Sequence, residues 1–381
     1  MIGLIFLLIL VGYAGLHYYL YRKIIAAFKP GWVTRLFLAL SFQFLIAAPF
    51  ISRFLDHDGH PALSRTLNLP VFLWIAWLFW FFMAGILMDL WNIIIRLLSG
   101  ISTNPARFAI PPGKQFLSLC VMIILATGWS VIEGSTPRIR TIPLGHPAVP
   151  PGHPIRIVQV SDVHLGMMRS SEWNRTLCRT IETLKPDILI STGDMLDTSM
   201  KNIGDQTEAW AAIQPPLGKF AVLGNHEYYL GLGESLAFHK RAGFKLLRGE
   251  TADINRYLRI SGVDDKEGNR LDLPCYNDEA ALIPVPDRTR FSILLKHQPK
   301  VLRDSVVCFN LQLSGHTHNG QLFPFHLFVY LFYPYTHGLY HIRRDFDLYV
   351  SSGTGTWGPP LRLFAPPEIT VFELHWERKQ E

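Results

Sequence analysis

Two kinds of apolar pattern divide this chain. In its first third the apolar runs are long: Ile2–Tyr21, Leu36 to Ile51 or a little beyond, Leu69–Met88 and Phe116–Ile132. About 20 such residues in a helix cross the hydrocarbon of a bilayer, so about four transmembrane helices are predicted. A cleaved signal peptide is the alternative for the first run, but its basic residues Arg22 and Lys23 follow the run instead of preceding it. From Ile155 onward the runs shorten to strand length: Ile155–Val160, Ile188–Ser191, Phe220–Leu223, Tyr257–Ile260, Phe291–Leu295 and Leu311–Leu313. Short continuous apolar runs are the mark of strands covered on both faces. Between the first two, Trp173, Leu177, Ile181 and Leu184 share one helical face and Pro186 follows its end, which predicts a β-α-β unit. Asp347–Ser351 and Ile369–Leu374 read as closing strands.

Between these halves the periodicity is lost and prolines recur at 137, 143, 147, 150, 151 and 154. The predicted organisation is therefore a transmembrane domain over 1–133, a stiff Pro-rich linker over 134–154 and an α/β domain over 155–377. Charge supports the division. Residues 1–150 hold 11 Lys/Arg against 4 Asp/Glu, and the remainder 25 against 26, so the net +6 comes from the first part. A basic excess placed mostly in loops between apolar runs points to membrane topology and away from nucleic-acid binding. The first loop carries Arg22, Lys23, Lys29 and Arg35; the third carries Arg96, Arg107 and Lys114 around Asp89. If both face the cytoplasm, the α/β domain is extracytoplasmic. Cys120, Cys178, Cys275 and Cys308 are scattered and form no CxxC pair, which excludes zinc-ribbon and thioredoxin-type sites.

The strand-like runs end in chemistry. Ile155–Val160 leads to Asp162 and His164, Ile188–Ser191 to Gly193, Asp194 and Asp197, and Phe220–Leu223 to Gly224, Asn225 and His226. Phe291–Leu295 leads to His297, and Leu311–Leu313 to Gly315, His316 and His318. In open α/β sheets, ligands gather beyond the carboxyl ends of the strands. Carboxylate and amide oxygens mixed with imidazole, without thiolate, suit Mn²⁺, Fe, Zn²⁺ or Mg²⁺ better than copper. One ion would take Asp162, His164 and His318, the other Asn225, His297 and His316, with Asp194 bridging the pair. The glycines at 193, 224 and 315 are expected to let the backbone turn sharply at each ligand.

The ordered run D-x-H, GD-x-x-D, GNHE, a lone His and GHTH resembles the calcineurin-like metallophosphoesterase superfamily over about Ile155–Trp376. The GHTH-x-GQ ending, Ser351–Gly355 and Pro366-Pro367-Glu368-Ile369 are similar to its bacterial membrane-associated branch, which includes enzymes like the diacylglucosamine pyrophosphate hydrolases of lipid A synthesis. The resemblance implies an α-β-β-α layered sandwich holding two divalent ions, Mn²⁺ first, and in-line attack on phosphorus by a metal-bridging hydroxide. It implies that His226 stays off the metals and gives a hydrogen bond or proton to the leaving oxygen, and that Asp197 holds His226 in orientation. Thr198 and Ser199 stand where protein Ser/Thr phosphatases carry Arg-Gly, which disfavours a phosphoprotein substrate, and Asn319 replaces the Gly of the GHTHGGQ version. Expected partners are membrane lipids and a phosphorylated lipid or lipid-linked substrate, with the bacterial inner membrane as location and no nucleic acid. The alternatives are a membrane-anchored phosphodiesterase for soluble nucleotides or diesters, and a non-catalytic metal-binding sensor.

Other residues receive blander readings. His239, His326, His337, His341 and His375 are left unassigned, and Asp264 and Asp265 are read as surface turn residues in preference to neighbours of the site. Leu322–Tyr340, rich in aromatics directly after His318, is either core or a hydrophobic lip that enters the bilayer or grips an acyl chain.

Overall fold

The computed structural model describes residues 2–57, 61–98, 108–166, 168–197, 206–279, 281–282 and 289–377, without a few side chains near the first helix ends. Thr198, Ser199 and Arg107 lie outside this set. The chain divides into two compact units, Met1–Val131 with Gly358–Pro360, and Ile132–Trp357 with Leu361–Glu381.

The first unit is built on α1 (Ile2–Phe28), α2 (Trp32–His57), α3 (Pro61–Leu98) and α4 (Pro112–Ser135). Among the described residues, Trp32–Leu55, Thr66–Leu98 and Pro112–Ser135 are long and apolar enough to cross a membrane. α1, expected as a fourth span, is helical but is not in that set; its described part includes His17, Arg22 and Lys23. Polarity is partly inverted relative to a water-soluble bundle. His17 is buried, accepting from Trp74 Nε1 at 2.9 Å, and Lys23 pairs with Asp89, which also accepts from Tyr19 at 2.8 Å. Phe37, Leu87, Ile124 and Leu125 face outward. An apolar exterior around satisfied polar groups is what a lipid solvent selects.

Among the described residues, the second unit has two six-stranded sheets. The first runs β1 (Arg138–His146), β12 (Glu368–Trp376), β2 (Ile155–Val160), β3 (Ile188–Ser191), β4 (Lys219–Ala221), β5 (Lys245–Leu246). The second runs β10 (Gly338–Arg343), β11 (Phe346–Val350), β9 (Leu311–Ser314), β8 (Phe291–Leu295), β7 (Leu258–Gly262), β6 (Glu250–Asp253). Strands β2, β3, β4 and β5 are mutually parallel, as are β7, β8, β9 and β11. One core lies between the sheets, where Ile157, Ile190 and Phe372 meet Ile260, Ile293, Leu313 and Tyr349. Alternate residues Val158, Val160 and Leu189 point the other way, onto Leu177 and Ile181 of α5 (Ser171–Thr183) and onto Trp210 and Phe238. Ser170 caps α5 by accepting from the Trp173 amide. The outer face of the second sheet carries a thinner cover, with Leu294, Phe309 and Phe346 at its centre. The layered α/β sandwich is thus present.

The segment 134–154, expected as a linker, belongs to this sandwich. β1 pairs in parallel with β12 from Arg138 to His146, burying Ile142 and Leu144. Its edge position explains why Pro143 is tolerated, since only one side of the strand needs amide donors.

Candidate metal centre

Five parallel strands deliver the predicted residues to one place. Asp162 and His164 follow β2, Asp194 follows β3, Asn225 opens the helix Asn225–Leu230 after β4, His297 follows β8, and His316 and His318 follow β9. The first three strands belong to one sheet and the last two to the other, so the site straddles the carboxyl ends of both. Among the described residues, three groups have ligand atoms within 4.8 Å of one another: Asp162, His164 and His318; Asp194, His297 and His316; and His164, Asp194 and His226. Asn225 joins the second, with Oδ1 3.2 Å from His297 Nε2. All seven predicted ligands, His226 and Asp197 therefore converge.

The backbone is bent to achieve this. Asp162, His164, Asp194, His316 and His318 all adopt the left-handed region, at φ 51°, 51°, 53°, 72° and 50°. Side chains rarely sit there, and such strain persists only where surrounding structure fixes it. Here the Asp162 amide donates to Gly193 O, the His164 amide to Asp194 O, the Gly355 amide to Asp162 O and the Gly315 amide to His297 O. Asn319 is left-handed as well, at φ 48°, a region that Asn enters more readily than most side chains. The sharp-turn role expected of the glycines holds only for Gly193, at φ +99°. Gly224 and Gly315 are needed for close approach: a Cβ at Gly315 would overlap Ser161 Oγ and Asp162 Oδ2, and one at Gly224 would overlap Asp194 Oδ1.

Each imidazole is oriented by its far nitrogen. His297 Nδ1 donates to Thr192 O at 2.8 Å, which turns Nε2 toward Asp194 Oδ2 at 3.1 Å. His164 Nδ1 donates to Asp197 Oδ1 at 2.6 Å, leaving Nε2 3.0 Å from His318 Nε2. His316 points Nδ1 at His297 and sets Nε2 2.8 Å from the Tyr333 hydroxyl. His318 is backed by the fully buried Arg362, whose Nη2 lies 3.1 Å from its Nδ1. Outer hydrogen bonds of this kind fix which nitrogen a cation meets. Burial opposes charge throughout. On His316, burial followed by the neighbouring His297 pushes the pKa down to about 3, and on His318 burial and Arg362 push it well below the usual value. Both rings are then neutral, as ligands must be. Burial also opposes ionisation of Asp194, but His297 and His226 outweigh it and hold this carboxyl well below its ordinary range. On His297 burial is outweighed by Asp194, which holds its pKa well above the usual value, so a cation there would displace a proton. Carboxylates, an amide oxygen and imidazoles without sulfur fit hard or borderline divalent cations.

His226 is placed differently. Its amide donates to Asp194 Oδ1 at 2.9 Å, and its ring Nδ1 is 2.7 Å from Asp197 Oδ1. Burial lowers its pKa, but Asp194 and the bond to Asp197 prevail and lift it to about 9. Tyr229 and the exposed Trp357 flank the ring at 5.5 and 6.0 Å.

Several supporting residues carried no assignment from sequence. Glu227, fully buried, accepts amides of Asp194 and Gly224 on one oxygen and of Met195 and Leu196 on the other. Burial, then the Asp194 charge, raise its pKa to about 7. Four convergent donors nonetheless call for a carboxylate, since a proton on either oxygen would face an N–H. Its place in GNHE was the available signal; Arg362 had none. Asp264 and Asp265, read as surface residues, are buried. Asp264 pairs with Arg248 at 2.9 Å, and Asp265 accepts from Gln298, whose Oε1 accepts from Tyr333 at 3.2 Å.

The chain is similar to known proteins. Residues 155–320 match the calcineurin-like phosphoesterase family. A metallophosphoesterase of Aquifex aeolicus is 40% identical over 252 residues, covering 66% of this chain and 97% of that protein. One from Campylobacter jejuni is 34% identical over 287 residues, 74% and 71% of the two chains. A transmembrane protein with metallophosphoesterase domain from Danio rerio is 27% identical over 354 residues, 88% and 79% of the two. The chain belongs to the calcineurin-like phosphoesterases.

Proposed function

We propose that this protein is a membrane-embedded phosphoesterase that uses two divalent cations, Mn²⁺ first, to hydrolyse phosphoester or pyrophosphate bonds of lipid or lipid-linked substrates. The observation that carries the reading is the convergence of seven candidate donor side chains from both sheets, with the far nitrogens of the four histidines already engaged. Asp162, His164 and His318 would hold one cation and Asn225, His297 and His316 the other, with Asp194 shared. When bound, such a pair activates water and neutralises charge gathering on phosphoryl oxygens. His226 gives a proton to the leaving oxygen, Asp197 keeps its ring aligned, and Trp357 and Tyr229 limit water beside it. The three membrane-length helices favour a lipid substrate over a soluble one, and the basic first and third loops favour an extracytoplasmic site.

The test is a screen of lipid phosphates, lipid pyrophosphates and bis-p-nitrophenyl phosphate with the full chain in detergent, with and without added Mn²⁺. Hydrolysis that chelation abolishes and His226→Ala lowers by about 10²–10⁴-fold is expected. A protein that binds Mn²⁺ yet cleaves nothing would be a sensor, and the proposal would be wrong.

A further inference from the structure

The segment Leu322–Tyr333 contains no Asp, Glu, Lys or Arg, and its side chains crowd outward. Leu331 and Phe332 are 76% and 74% exposed, Leu327 56% and Tyr330 51%, around the short helix His326–Val329. Phe364, 63% exposed, extends the same surface, since its ring stands 5.6 Å from Phe323 and Leu322 bridges Leu363. A surface this apolar on a water-soluble domain marks a site of interaction.

What covers it follows from the chain beside it. The Phe364 amide donates to Glu133 Oε2 at 2.6 Å, Trp173 Nε1 donates to Ser135 O at 3.3 Å, and Arg169 donates to Gly134 O at 3.1 Å. Residues 133–135 are the last turn of α4, whose preceding residues are long and apolar enough to cross a membrane. The exposed surface is therefore fastened to the point where the chain leaves a span. We infer that the Leu327–Phe332 lip and Phe364 seat in the lipid surface of the membrane that holds the chain's own helices, at the boundary of headgroups and acyl chains. A bilayer suits this face better than a second copy, because it lies within hydrogen-bond reach of a helix end that emerges from one. Tyr333 closes the same segment and bonds His316 and Gln298, so a seated lip sets the mouth of the site at the lipid surface. The inference concerns where the domain docks and does not depend on hydrolysis.

The decisive measurement needs no activity. In the full chain, Leu331→p-benzoyl-phenylalanine is reconstituted in phosphatidylethanolamine/phosphatidylglycerol nanodiscs and irradiated, beside Ile124→p-benzoyl-phenylalanine, an outward position in α4. Lipid adducts at Leu331 within about threefold of the Ile124 yield are expected for a side chain at the acyl boundary. Background labelling at Leu331 while Ile124 labels, or adducts to a second copy of the chain instead of lipid, would overturn the inference. A second arm compares Leu331→Ser/Phe332→Ser with wild type. The ratio of its rate on a phosphorylated lipid in vesicles to its rate on bis-p-nitrophenyl phosphate should fall about tenfold, as two large apolar groups lose their seat. An unchanged ratio in a hydrolysing enzyme would also overturn it. Failure of hydrolysis on every substrate would sink the phosphoesterase proposal alone, and the cross-linking would still decide the lip.

Discussion

Replacing Asp197 by Asn separates charge from geometry at this site. His164 Nδ1 and His226 Nδ1 both reach the same oxygen, Oδ1, at 2.6 and 2.7 Å. An Asn carbonyl can accept both bonds with its amide nitrogen turned away, so the two rings keep their places while the negative charge goes. A hydrogen bond to a charged acceptor contributes about 1.5–3 kcal/mol and a neutral one about 0.5–1.5, a difference of about 1.2 kcal/mol between the middles of the ranges. That is about one pKa unit on His226. The raised His226 pKa keeps its proton available below the pKa and loses it as pH rises through about 9, so the acid form limits the alkaline side of the profile. Cations at the site will lower this value in both enzymes, and the informative quantity is the displacement between them. The assay is kcat against pH at saturating Mn²⁺, because His164 also loses an anionic partner and metal affinity should fall about 10–100-fold. Asp197→Asn should move the alkaline limb down by about one unit, giving about tenfold less turnover above the limb. An unmoved alkaline limb, with full turnover on both sides, would refute the role given to Asp197 and to the His226 proton.

Two further substitutions probe the support of the site. Gly315→Ala forces a Cβ onto Ser161 and Asp162, and bound metal per chain by atomic emission should drop below half of wild type while the far-UV circular dichroism stays unchanged. Glu227→Gln turns an amide nitrogen toward two backbone donors, and loss of two charge-assisted bonds should cost about 3–5 kcal/mol, read as a lowered thermal midpoint of the detergent-solubilised chain.

How much of this was legible in the sequence depended on where each partner comes from. β2, β3 and β8 are buried on both faces and announce themselves as continuous apolar runs. β5 and β6 lie at or beside sheet edges, are two and four residues long, and leave Lys245, Glu250 and Asp253 exposed, so no such signal exists. β1 was hidden by its prolines and by the exposed Arg138 and Arg140, although Ile142 and Leu144 alternate inward. The metal-binding candidates were legible because each stands a few residues beyond a strand. Their supports were not. Thr192 acts through its carbonyl oxygen, a group every residue has, and Arg362 reaches His318 from 44 residues away. Asp264 and Asp265 looked like turn residues because Arg248 and Gln298, which satisfy them inside, arrive from elsewhere in the chain.

The position of β12 has a consequence for biogenesis. It is synthesised after every candidate ligand, yet it lies between β1 and β2, and its neighbouring loop supplies the Thr354 and Gly355 amides that grip Ser161 and Asp162. A nascent chain that has not reached Glu368 therefore carries a gap in its first sheet, with the edges of β1 and β2 open to wrong partners. The backbone bonds that hold Ser161 and Asp162 in place therefore form only after that late insertion.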